Sequence, residues 1–360
     1  MGRRRYELDT RVLTVFFLVA MPFGAFGSFV VVSVARGALR DAVGESLEQR
    51  AAQTRLLIER YVGDQIVHLR LLALDPQIQQ ALRDSSRGGS ERGVGPASRS
   101  ALASRLHATA RVRPGVTLVQ VVDTKGRLVA TSGRDGQERH KESAWFRALA
   151  RDELPRPFVG GIRLPKGSSL GVFEVAYPVY DAQGFWLGGL HVLVDAADLY
   201  SVLAPVRVGR TGRAVLIRST DGLVLASDDT KVELVHTFPG FSAIGAAIRE
   251  RRGYWVIPEI VGKSGTDASR VEPARIVGYS LVEQIPGLEW VIVVEQELQE
   301  ATEPVSQVTR YLWIHFIGAF GTVILLALYF SFKLEAPVIE EGLHLHAEHV
   351  PKGARPASEE

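Results

Sequence analysis

Trp145 and Phe146, side by side in a short apolar stretch, are the side chains best placed to shield a small molecule from water. Asp195, at the end of a run rich in Val and Leu, can pair with a cationic group. A small polar ligand needs both things: an apolar wall and one or two fixed charges that orient it. Each residue also has a plainer use. Two aromatic rings on a short helix beside a sheet make ordinary core, and Asp is a favoured helix N-cap, here for a helix beginning near Ala196. Tyr177 recurs in a second, similar stretch as Tyr279, which favours packing. Bond-making chemistry has less to work with. The chain has no phosphate-binding loop, nucleophile elbow, His-Glu-x-x-His pair or kinase signature. Gly160-Gly161 and Gly188-Gly189 flank strands and read as turns or tight packing, and the carboxylates are scattered. No enzyme and no cofactor are expected. His344, His346 and His349 fit no closed zinc site, and with no cysteine there are neither thiolate ligands nor disulfides. A net charge of +2, with no Lys/Arg run that suggests a binding stripe, gives no reason to expect nucleic acid.

The elements that must position these residues lie between two uncharged apolar runs, 12–34 and 311–332. Each is about 22 residues, roughly 33 Å as a helix, enough to cross a hydrocarbon core. Arg3, Arg4, Arg5 and Arg11 precede the first run and place residues 1–11 in the cytoplasm. Two spans then leave residues 36–310 outside a bacterial inner (plasma) membrane and return 333–360 to the cytoplasm. Arg36 and Arg40 weaken this bias without reversing it. Ser33-Val34-Ala35 resembles a signal-peptide cleavage site, but the apolar run exceeds a typical signal core of roughly 7–15 residues. His315 falls near the outer boundary of the second span and suits the interface.

Leu39, Val43, Leu47 and Ala51 repeat every fourth residue and predict a helical stalk that ends at Asp75-Pro76, since the residue before a proline avoids the helical region. The stalk and a short helix at 77–83 fill 36–83. Residues 84–110 read as a mobile loop, to about 98, and a short helix. Then the period becomes that of strands: Val116 to Val122, a turn at Asp123-Thr124-Lys125-Gly126, a partner strand to Thr131, a short helix from Trp145, and two strands joined by Asp181-Ala182-Gln183-Gly184. The pattern returns. Thr124-Lys125-Gly126-Arg127-Leu128-Val129-Ala130-Thr131 lines up with Thr220-Asp221-Gly222-Leu223-Val224-Leu225-Ala226-Ser227, and Tyr177-Pro178-Val179 with Tyr279-Ser280-Leu281. The fold class is therefore α+β, with two antiparallel-sheet modules at 111–202 and 203–296 and a connecting helix at 297–310 leading into the second span.

Together, the stalk, the Leu72-to-Leu82 break, the VVDTKGRLVATS hairpin, the AWF helix, the GRTGRAVLIRSTDGLVLAS hairpin and the GLEWVIVVEQ strand resemble the double Cache sensor domains of bacterial membrane receptors. The resemblance implies two PAS-like modules on the stalk, with the first, membrane-distal one binding a small molecule. It also implies a site. In relatives that bind amino acids, an Arg two residues before this Trp grips the ligand carboxylate, an acidic residue ending the last strand holds the amino group, and a Tyr-x-Asp element lies near 158–160. Here Ser143 replaces the Arg, Asp195 is present, and the Tyr-x-Asp element is missing; Lys141 or Arg163 is a candidate substitute.

The expected function is a signal-sensing receptor, a homodimer through its stalk. Ala336-Pro337-Val338 echoes the start of a HAMP linker, but 333–360 is too short for an effector, so a separate cytoplasmic kinase, phosphatase or cyclase, or a longer receptor, is expected. The alternatives are a ligand-independent subunit that docks a partner protein and a solute-capturing component that does not signal.

Overall fold

The computed structural model describes residues 10–87, 95–113, 115–133, 139–151, 156–163, 171–227, 236–262, 270–285 and 287–335. Helices α1 (Thr10–Ala73), α2 (Pro76–Arg87) and α3 (Pro96–Val112) come first. The first module follows: β1 (Val116–Asp123), β2 (Leu128–Thr131), α4 (Ala144–Arg151), β3 (Phe158–Val159), β4 (Val172–Tyr180) and β5 (Trp186–Asp195), closed by α5 (Ala197–Leu203). The second contains β6 (Arg213–Arg218), β7 (Val224–Ser227), α6 (Phe241–Ile244), a 3-10 turn Ala247–Glu250, β8 (Arg252–Ile257), β9 (Ile260–Gly262), β10 (Arg270–Glu272), β11 (Arg275–Leu281) and β12 (Trp290–Glu297). Helix α7 (Leu298–Glu335) ends the described chain.

Leu39–Thr302 forms one compact unit. Its two five-stranded antiparallel sheets share one topology, β2-β1-β5-β4-β3 and β7-β6-β12-β11-β8. The expected duplication is therefore real, down to a register shift at the same place in β1/β2 and β6/β7. Both sheets turn one face to the stalk. Leu47, Ala51, Ile58, Val62, Leu69 and Ala73 fall on one side of α1 and join a single core with Val121, Phe173 and Leu190 of the first sheet and Leu216, Ile276 and Trp290 of the second. The stalk stops where expected: Asp75 accepts the Gln77 N–H at 2.9 Å and pairs with Arg105 at 2.6 Å, so Pro76 begins a new helix.

The loop expected over 84–98 is shorter than the sequence implied. Helix α2 runs on to Arg87 and α3 starts at Pro96, while 88–94 lie outside the described residues. On α3 only Leu102 and Leu106 are buried, too sparse a pattern to reveal a helical period among Ser and Arg. At its far end the second module holds the first turn of α7. The Thr211 hydroxyl and the N–H groups of Arg210 and Thr211 all donate to Glu300, whose carboxyl they hold down at about 2.

The other unit joins the N-terminal part of α1 to the rest of α7. Both helices contain stretches long and apolar enough to cross a membrane. Gly24 faces Phe316 closely enough that a Cβ would lie 2.6 Å from the ring, and His315 bonds its own helix at the Tyr311 carbonyl.

The stalk packing has a sensitive point. A Cβ on Gly278 of β11 would lie 2.2 Å from the backbone of Leu47 and Glu48. Backbone cannot rotate away, so Gly278→Ala should cost at least about 1–3 kcal/mol by overpacking. Gly161→Ala, which meets nothing within 4 Å, is the control in thermal melts. Equal melting of the two variants would show that this sheet is not seated on the stalk.

Candidate ligand-binding site

Helix α4 covers the face of the first sheet that points away from the stalk. Its first hydrogen bond runs from the Arg147 N–H to the Ser143 carbonyl, and it buries Trp145, Phe146 and Leu149 against Val122 and Ala176, with Leu128, Phe158 and Trp186 around them. A glycine allows the close approach: a Cβ at Gly189 would meet Leu149 at 2.9 Å and Trp145 at 3.4 Å.

The same face carries polar groups. Gln120 and His191 are directly paired across β1 and β5, and Glu174 lies on the neighbouring strand β4. His191 is only 4% exposed. Its Nδ1 lies 3.1 Å from Gln120 Oε1 and its Nε2 3.0 Å from Glu174 Oε2. The ring stacks on Trp145 at 4.6 Å with planes 7° apart, and the buried His140 ring sits 5.3 Å from Trp145. Burial pushes the Glu174 carboxyl up, but the hydrogen bond and charge of His191, with Arg163 and His140, outweigh it and hold the group below its usual range. The Arg163 guanidinium is 58% exposed and 3.5 Å from Glu174. An exposed pair of this kind contributes about 0–1 kcal/mol.

Of the residues singled out from sequence, Trp145, Phe146 and Arg163 meet at this face. Ser143 contributes the carbonyl that starts α4. Lys141 is exposed, its backbone packed on the β1–β2 turn at Gly126. Asp195 lies elsewhere, four residues beyond His191 on β5, about 13 Å at 3.3 Å per residue. Its Oδ1 accepts the Ala197 N–H at 2.9 Å, the local turn into α5. Tyr177 points to the opposite face and packs on the stalk-side core. Gln120, Glu174, His140 and His191 were missed. The signal was there, since Gln120, Glu174 and His191 each interrupt an apolar strand run where a buried polar side chain needs a partner.

The topology repeated on a shared stalk is matched by the sequence signature of the Cache domain, which covers residues 35–305. The chain belongs to the Cache domain family. Two solved double Cache structures show the fold. The ligand-binding domain of the Pseudomonas aeruginosa amino acid chemoreceptor PctC, in complex with GABA, is 17% identical with a TM-score of 0.50, covering 70% of this chain and 99% of that one. The ligand-binding domain of the Campylobacter jejuni chemoreceptor Tlp3, in complex with L-norvaline, is 14% identical with a TM-score of 0.50, covering 74% and 95%. Among curated proteins none matches the sequence.

The two Cache modules differ most at this face. The shared register shift equates Val122 with Ile217, and stepping along the ladders equates Gln120 with Val215, His191 with Val293, Glu174 with Val277 and Ala176 with Tyr279. The earlier alignment of Tyr177 with Tyr279 was therefore one residue off, which in a strand changes the face. In the second module Tyr279 fills the space and donates to the Ala247 carbonyl at 2.9 Å, and the surrounding side chains are apolar.

The lowered Glu174 carboxyl gives a pH prediction. A group with a depressed folded value adds stability above its ordinary value of 4.5 and loses it as the pH falls through the depressed one. Wild type should therefore melt above Glu174→Gln at neutral pH, and the gap should close in acid below about 4.5. A gap that does not change with pH would mean Glu174 is not held ionised by its neighbours.

Proposed function

We propose that this chain is a membrane-anchored sensor whose first Cache module binds a small molecule at the α4 face and passes the event to a cytoplasmic kinase, phosphatase or cyclase. The observation that carries the reading is the asymmetry between the modules: Gln120, Glu174 and His191 stand where the second module has three valines. Buried polar groups cost free energy that a valine avoids, so their presence in one copy alone favours a use. The GABA and L-norvaline complexes of the two chemoreceptors indicate a suitable ligand size.

A route towards the stalk begins next to the site. Phe173, adjacent to Glu174 but on the other face of β4, sets its ring edge-on to Tyr61 of the stalk at 6.3 Å and to Trp290 of the second module at 5.9 Å. Tyr61 also donates to Asp198 of α5 at 3.0 Å. A ligand that shifts β4 thus acts on the stalk and on the second module together, within the limit of its differential affinity for two states. The basic N-terminal flank supports cytoplasmic termini. Near its end the stalk keeps Val67, Leu71 and Leu74 exposed at four- and three-residue spacing, and Gly63 one turn before them is open, which suits a second copy of this chain.

The test is thermal shift of the full chain in detergent against amino acids, amines, carboxylates and purines. A ligand at 100 times Kd adds about 2.7 kcal/mol. That shift should be lost in His191→Leu, which keeps side-chain volume. A shift of equal size in the variant would place binding elsewhere and reject this site.

A further inference from the structure

Among the described residues of α1, Glu59 is the only charged side chain that is buried, at 4% exposed. Its Oε1 accepts the N–H groups of Glu283 and Gln284 at 2.9 and 3.2 Å, and Arg55, one turn earlier, pairs with it at 3.1 Å. Glu283 and Gln284 open the turn between β11 and β12. The first module closes the equivalent turn by itself. Between β4 and β5, Asp181 accepts the N–H groups of Gln183 and Phe185 at 3.0 and 2.8 Å. The second module hands two donors of its turn to the stalk instead, and an apolar residue at 59 would leave them without that acceptor. Among the described residues, the other polar contacts of the stalk with this module involve the exposed Asp41, bonded by Tyr254, and the exposed Arg252, paired with Glu48.

The turn leads directly to Trp290. The Val282 N–H donates to the Trp290 carbonyl at 2.9 Å, which closes the turn beside Glu283. The Trp290 ring stands edge-on to Phe173, the neighbour of Glu174 in β4, at 5.9 Å. Phe173 in turn meets Tyr61, two residues beyond Glu59 on the stalk. The contacts form a closed circuit: β4 to the stalk, the stalk through Glu59 to the turn, and the turn through Trp290 back to β4.

We infer that Glu59 is a positioning residue of the signal route: by holding the β11–β12 turn to the stalk it keeps Trp290 seated on Phe173. A displacement of β4 then reaches the stalk and the second module as one movement. This role rests on the route from β4 proposed above, but its test needs no ligand. A failed binding test at His191 would reject the ligand site and leave the result at Glu59 standing, and the converse also holds.

The full chain in detergent would be labelled with fluorotryptophan, and the Trp290 line among the five tryptophans assigned by Trp290→Phe in fluorine NMR. Phe173→Leu should move that line, because it removes the facing ring. Glu59→Leu should move it as well, although the hydrogen bonds of Glu59 go to the turn and to Arg55. In the same variant the Glu283 and Gln284 amides should exchange roughly tenfold faster or more, as loss of a hydrogen bond to a charged group implies. Glu59→Gln keeps an oxygen acceptor and should restore both readings to near wild type. Tyr254→Phe, which cuts the exposed contact with Asp41, should leave the Trp290 line in place. If Glu59→Leu does not fold, Glu59→Asp, one methylene shorter and drawn back from the turn, is read in the same way. Freed amides with an unmoved Trp290 line would make Glu59 a local acceptor only and overturn the inference. Amides that stay protected, or a line moved as far by Glu59→Gln as by Glu59→Leu, would overturn it too.

Discussion

A buried imidazole with both nitrogens facing oxygen atoms sets the terms for the whole α4 face. His191 is buried on the central strand of its sheet, where an unpaired polar group costs about 1–3 kcal/mol. The structure meets that requirement with Gln120 on one side and Glu174 on the other, and covers the ring with Trp145. The rest follows from this arrangement. Gly189 is needed so that α4 can bring Trp145 down, Gly160 so that Glu174 has room, and Arg163 is drawn to the carboxylate from the rim.

Duplication shows which of these features the fold itself demands. The second module keeps the strand order, the register shift and the seat on the stalk, yet fills the equivalent face with Val215, Val277, Val293 and Tyr279. A Cache module therefore closes without a polar cluster. The stalk-side faces, in contrast, are alike in both copies, because both must pack on the same helix. One face of each sheet packs on the stalk, and only in the first module does the opposite face carry the buried Gln120, Glu174 and His191 cluster.

Much of the fold was legible in the sequence because its signals are periodic. Leu47 and Ala51 mark the stalk face, Asp75-Pro76 its end, and Gly126 and Gly222 the repeated turns, both with positive φ. Helix α3 was harder to see because two buried leucines do not make a visible stripe. The site was legible only in part. Trp145 and Phe146 stand out by residue type, but Asp195 drew attention by its place at a strand end and proved to bond its own turn. Glu174 and His191 are 17 residues apart, and only the β4–β5 register makes them neighbours. A one-residue error in that register, the error in matching Tyr177 to Tyr279, exchanges the two faces of the strand.

The central claim is that the polar cluster exists for a ligand and not for the fold. The most direct test is the thermal stability of full-length Gln120→Leu, Glu174→Leu, His191→Leu, which removes the whole cluster at similar volume. Replacing a buried polar network completely by apolar side chains is often neutral or stabilising, by about 1–4 kcal/mol. The account predicts a variant that melts at or above the wild type. A variant that loses several kcal/mol would contradict it, and would make the cluster a structural feature of the first module.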